Sequence, residues 1–173
     1  MRKTLTIKSK IIIAAFLFAS TSTFSKQTPL ILISIDGYRY DYNTIYSPPT
    51  LSKIEKSGLK TKSLVPIYPS KTFPNHYAII TGLNANKHGI ISNSFKDSRK
   101  PNETFKINNR NKMTDGFWYE GEPFWNVVNK NGYKSASFFW VGSEAKINGS
   151  RPTYFKKYDS KVPGEQRVDQ VIS

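Results

Sequence analysis

Leu30-Ile31-Leu32-Ile33-Ser34-Ile35-Asp36-Gly37 is the stretch on which the fold turns. An apolar run of strand length, continuous rather than alternating, predicts a strand buried on both faces, as in a parallel sheet. The run stops at Asp36-Gly37, a carboxylate at the carboxyl end of the strand followed by a glycine that permits a sharp turn. Open α/β sheets place their chemistry at that position. Asp36 reads equally well as the cap of the turn that follows.

Working outward from this strand, Ser47 to Gly58 carries prolines for the first helical positions, apolar residues three apart and a terminating glycine. It predicts a short helix crossing back to the sheet. Thr61 to Pro66 is then a second strand, leading into Pro69-Ser70-Lys71-Thr72-Phe73-Pro74-Asn75-His76-Tyr77-Ala78-Ile79-Ile80-Thr81-Gly82, a cationic, proline-bracketed turn running into an apolar helix closed by glycine. Thr72 falls where that helix begins, so it is a candidate N-cap. The start of a helix also gathers free N–H groups and positive dipole, so a phosphate held there would lie within reach of the Thr72 hydroxyl. Gly89 to Asn93 is a brief extended piece ending in an amide.

Lys96 to Asp115 is charged or polar with little periodicity and predicts a surface excursion. Glu122 to Asn131 is helical in pattern, with Phe124, Val127 and Val128 on one face; Ser135 to Val141 reads as another buried strand, and Glu165 to Ile172 as an amphipathic helix. Helices alternating with strands make the predicted class α/β with a largely parallel sheet.

The amino terminus stands apart. Arg2, Lys3, Lys8 and Lys10 precede an apolar run from Ile11 to Phe18, and Ser20 to Ser25 is mostly small and polar. Residues 1–25 resemble a secretory signal peptide, too short in its apolar part to span a bilayer. The chain is expected to be exported to the periplasm or secreted, with no membrane span after signal removal. It has no cysteine, so its stability must come from packing or bound metal rather than disulfides. Of the formal charge of +14, four cations belong to the leader, which leaves +10. That balance favours anionic partners. The lysines are scattered, which reads as a solvated surface rather than one patch, and no specific nucleic-acid partner is expected.

Taken together, Ile33-Ser34-Ile35-Asp36-Gly37, Pro69 to Tyr77 with its Lys-Thr-Phe-Pro-Asn-His run, Thr81-Gly82-Leu83, His88-Gly89-Ile90-Ile91 and Asn93 resemble the nucleotide pyrophosphatase/phosphodiesterase family, a branch of the alkaline phosphatase superfamily. Gly121 to Trp125 and Pro152 to Tyr158 are similar to it as well, so the likeness covers nearly all of residues 26–173. The resemblance implies an alkaline-phosphatase-like sandwich, a largely parallel central sheet flanked by helices, incomplete in this chain. It implies hydrolysis of nucleotide phosphodiester or pyrophosphate bonds through a covalent threonine intermediate, releasing a nucleoside monophosphate, with two zinc ions as cofactors. Thr72 matches the nucleophile, Asp36 a zinc ligand together with Thr72, and Asn93 the amide that donates to a non-bridging phosphoryl oxygen.

Phe73 matches an apolar wall of the substrate pocket, and plain core packing is its alternative. In the Pro152-Thr153-Tyr154-Phe155 stretch the family's pocket tyrosine aligns with Phe155, which keeps a stacking surface but removes a hydroxyl; Tyr154 is the neighbouring candidate. Lys71 is a candidate phosphate contact or an ordinary exposed lysine. His76 and His88 are not expected to bind metal, and packing or a backbone hydrogen bond is their expected role. A two-zinc site needs about three protein ligands per ion, so the remaining Asp and His ligands are expected beyond Ser173, and the chain is expected to be the amino-terminal part of a catalytic domain. The alternatives are a monoester phosphatase, a phospholipid-directed phosphodiesterase or a phosphonate hydrolase of the same superfamily, or a non-catalytic anion-binding module.

Overall fold

The computed structural model describes residues 28–173; the leader segment read from residues 1–25 lies outside them. Residues 28–35 are extended and form no strand, and their apolar side chains are open to solvent, with Ile33 78 % exposed. The buried strand predicted over Leu30 to Ile35 is therefore not formed. A strand is held by hydrogen bonds to a neighbour, and among the described residues no strand pairs with this segment.

From Asp36 onward the chain packs as one unit. Helices α1 (Tyr42–Tyr46) and α2 (Pro49–Ser57) come first. The second is the predicted crossover helix, with Pro49 where its missing N–H costs nothing. Asn43 ties α1 to α2 by donating to Glu55 at 2.9 Å. Thr61 to Pro66, predicted as a strand, is exposed and unstructured. Helix α3 (Thr72–Thr81) follows, closed by Gly82 in the left-handed conformation that glycine adopts without strain. The one-turn helix α4 (Ala85–His88) comes next.

The stretch from Lys96 to Asp115, predicted as a surface excursion, keeps most of its residues at or near the surface but is not irregular. It forms an antiparallel hairpin, β1 (Ser94–Asp97) against β2 (Lys100–Lys106), with an irregularity between Phe95 and Asp97. Alternation explains the difference. The charged residues face outward, while Phe95 and the fully buried Phe105 turn inward onto Trp118, their ring centroids 5.7 and 5.8 Å from its own. Fully burying one such aromatic ring is worth about 1.5–3 kcal/mol, enough to overrule a polar neighbourhood.

After α5 (Arg110–Met113) and a single 3-10 turn (Gly116–Trp118), helix α6 (Phe124–Lys130) buries Trp125 and Asn126 and leaves Phe124 and Val127 exposed. The face predicted from periodicity is thus rotated. Asn126 donates to the Ile147 carbonyl at 2.9 Å, and that buried bond holds the helix in its actual orientation. The last predicted strand shortens to β3 (Ala136–Phe138), which pairs in parallel with β4 (Tyr154–Lys156), and α7 (Gly164–Ile172) ends the chain. The fold class is α/β. Among the described residues its strands make two two-stranded sheets, one antiparallel and one parallel. The core is aromatic, with Tyr77, Phe105, Trp118, Tyr119 and Trp125 around Ile90 and Ile147.

Candidate active site

The amino end of α3 opens onto a cleft of about 330 Å³ lined by Asp36, Pro66, Ser70, Lys71, Thr72, Asn75, His76 and Asn93. Four of the sequence-predicted site residues, Asp36, Lys71, Thr72 and Asn93, meet there. Thr72 is the first residue of the helix rather than its cap, and the cap residue, Lys71, makes no side-chain capping bond. The Thr72 hydroxyl is thereby released from the role that its position in sequence suggests. It donates instead to Asp36 Oδ2, at 3.3 Å.

The cap comes from twenty residues away. Asn93 Oδ1 accepts the Phe73 backbone N–H at 3.1 Å, satisfying one of the orphan donors of the first helical turn. This bond decides which way the amide faces. With Oδ1 engaged by Phe73, Nδ2 is the end of the amide left to donate. An amide fixed in this way can offer an N–H to an anion in the cleft.

Asn75 builds the rim. Its Oδ1 accepts the Ile67 N–H at 2.8 Å, and its Nδ2 donates to the Pro69 and Lys71 carbonyls at 3.1 and 2.9 Å. One side chain therefore moulds the turn that delivers Lys71 and Thr72. His76 lies one helical turn after Thr72, its Nδ1 2.9 Å from the Thr72 carbonyl oxygen, and it lines the cleft. The sequence reading did not assign Asn75, Ser70 or His76 to the site. A usable signal was present for Asn75, since an amide three residues after a helix start lies over the turn that precedes it.

The aromatic candidates lie elsewhere. Phe73 packs on the core, its ring 6.0 Å from that of Phe105, and does not line the cleft. Tyr154 and Phe155 are on β4, beneath the cations of Lys134 and Arg151 at 5.9 and 5.6 Å, and neither lines the cleft. Two oxygen donors, from Asp36 and Thr72, face one another in the site, and the described residues contain no group of three His, Cys, Asp or Glu able to hold a metal ion. By the ligand count that zinc requires, these residues alone do not make the expected two-zinc site. No helix among the described residues is long and apolar enough to cross a membrane.

The α/β unit that carries this hydroxyl, carboxylate and amide is similar in fold to the solved murine ectonucleotide pyrophosphatase/phosphodiesterase 5. That structure, of an inactive threonine-to-alanine variant in complex with AMP, superposes with a TM-score of 0.79 at 31 % identity, covering 84 % of this chain and 39 % of the murine one. Residues 30–173 match the family model of type I phosphodiesterase/nucleotide pyrophosphatase, and the chain belongs to that family. It is 43 % identical over 146 residues to human ectonucleotide pyrophosphatase/phosphodiesterase family member 1, covering 83 % of this chain and 16 % of the human protein. It is also 43 % identical over 148 residues to the venom phosphodiesterase of Naja atra, covering 84 % of this chain and 18 % of the venom enzyme. The chain thus spans less than a fifth of the length of these curated relatives.

Proposed function

We propose that this chain carries the nucleophile of an exported hydrolase that cleaves nucleotide phosphodiester or pyrophosphate bonds and releases a nucleoside monophosphate. The observation that carries the reading is the convergence of Thr72, Asp36 and Asn93 on one cleft. Membership of the family supports it, as does the relative that is inactive as a threonine-to-alanine variant and holds AMP.

In the proposed reaction the Thr72 oxygen attacks phosphorus as the bond from phosphorus to the leaving oxygen breaks, and the Thr72 proton, donated to Asp36 in the resting site, passes on to the leaving oxygen or to solvent so that Asp36 stays a carboxylate. The nucleotidyl group then sits on Thr72. Water breaks the threonine–phosphorus bond, releases the nucleoside monophosphate and restores the hydroxyl. Asn93 Nδ2 donates to a non-bridging oxygen in both steps, and because it is already oriented it pays no reorganisation as charge develops. Lys71, exposed on the rim, adds a positive charge for the phosphate. Phe73, Tyr154 and Phe155 do not line the cleft, and their aromatic contact with the substrate is proposed only for the part of it that extends beyond the cleft.

The family is of a metal-dependent type, and Asp36 and Thr72 are proposed as ligands of one of two zinc ions whose other ligands are not among the described residues. The chain is further proposed to form the amino-terminal part of a sandwich with a largely parallel sheet, behind a cleaved signal peptide at residues 1–25.

The test is hydrolysis of a p-nitrophenyl nucleotide ester by the protein as its cell makes it, with zinc content measured on the same preparation. Thr72→Ala is expected to lower kcat by about 10³-fold or more. Turnover undiminished by this substitution would refute the threonine mechanism. A rate on phosphate monoesters above that on diesters would replace the phosphodiesterase reading with that of a phosphatase.

A further inference from the structure

His88 is fully buried, and both of its ring nitrogens are engaged by backbone. The Ile90 N–H lies 3.2 Å from Nδ1 and the Pro74 carbonyl oxygen 3.1 Å from Nε2. An N–H can bond only to a lone pair, so Nδ1 is the acceptor and the proton sits on Nε2, which donates to Pro74. Burial also disfavours the charged form of the ring.

The two backbone groups belong to the two halves of the cleft. Pro74 is two residues past Thr72 in α3, and Ile90 is three residues before Asn93. The His88 ring also packs edge-on against Tyr77 on the same helix, 5.1 Å between centroids. Asn93 Oδ1 closes the other side of this loop by accepting from Phe73. The nucleophile helix and the amide segment are therefore joined by two short bridges, one through each of these side chains. Without the His88 bridge, the Asn93 bond and the packing of Tyr77 and Ile90 in the core would have to hold the distance.

We infer that His88 is a positioning residue: its imidazole bridges Pro74 and Ile90 and thereby fixes the separation of Thr72 from the donor end of Asn93. Its effect on turnover rests on the function proposed above, whereas its effect on the Phe73–Asn93 bond does not. Sub-ångström and ångström misplacements of reacting groups are costly in rate while leaving binding nearly unchanged.

The experiment compares His88→Phe, which keeps a ring against Tyr77 and removes both hydrogen bonds, with His88→Gln, whose amide can again donate toward Pro74. Two quantities are read on each: hydrogen exchange at the Phe73 amide, and kcat and KM on the p-nitrophenyl nucleotide ester. The expected result for His88→Phe is exchange at Phe73 faster by about fivefold or more, with amides at the carboxyl end of α3 unchanged. kcat is expected to fall about tenfold or more with KM within about twofold, and His88→Gln to recover part of both effects. Exchange at Phe73 and kcat equal to those of the unsubstituted protein would overturn the inference. So would exchange that rises equally through all of α3, which is the mark of a packing role alone. If His88→Phe does not fold, His88→Asn, which keeps an acceptor for Ile90 and loses the donor to Pro74, is read by the same criteria. Should the unsubstituted protein not cleave the ester at all, the proposed function fails, and exchange at Phe73 still decides the role of His88.

Discussion

Leu30 to Ile35 and the hairpin of Ser94 to Lys106 exchange the places that their compositions suggest. The first is almost wholly apolar and lies open to solvent; the second is crowded with charge and drives Phe105 into the centre of the core. Apolar character measures what a segment gains if it is covered, but covering requires a surface of matching shape and backbone partners for every N–H and C=O. The hairpin supplies its own partner by folding back on itself at Ser98-Arg99, with Arg99 paired to Asp97 and Glu120. An isolated run of six residues cannot do this.

The contrast is sharpest in stability measurements on the 173-residue chain. Phe105→Ala should cost about 3–5 kcal/mol in urea unfolding, because it empties a fully enclosed site among Phe95, Trp118 and Tyr119. Gly116→Ala attacks the same core from its floor. An added Cβ would meet the Lys146 carbonyl oxygen at 2.3 Å, backbone against backbone, and the expected loss is about 1–3 kcal/mol.

A smaller effect follows acid. Arg99, hydrogen-bonded to its side chain, holds the Asp97 carboxyl at a pKa of about 2, below its usual 3.8. Since the folded value is the lower one, the stabilisation is present above pH 3.8 and is lost as pH falls from there toward 2. Arg99→Ala should flatten the stability profile across that window, measured as unfolding midpoints in urea, and the exposure of the pair keeps the change small. Ile33→Ser should change stability by less than about 0.5 kcal/mol, because its side chain is 78 % exposed. A cost approaching that of Phe105→Ala would break the comparison, since it would mean that this segment is covered in solution.

Helices were readable where the signals were local. Pro49 at the start of α2 and Gly82 at the end of α3 act through backbone conformation that a residue carries with it. Strands were not readable in this way. Thr61 to Pro66 has strand composition and no strand, whereas Lys100 to Lys106 has the reverse, because a strand exists only with its neighbour. Phe124 and Val127 share a face by periodicity, yet the bond from Asn126 to Ile147 turns that face outward.

At the cleft the division is similar. The sequence by itself determined the chemistry available: a hydroxyl at Thr72, a carboxylate at Asp36 and an amide at Asn93, in an order that resembles one family. Only the tertiary structure decided their roles relative to one another. It gave the helix cap to Asn93 in place of Thr72, turned the Thr72 hydroxyl toward Asp36, and joined the two halves of the site through His88. The physical reason is that residue types set which bonds can form, whereas which donor meets which acceptor depends on distances across twenty or more residues of chain. Those distances are set by how the aromatic core packs α3 against the segment that carries Asn93.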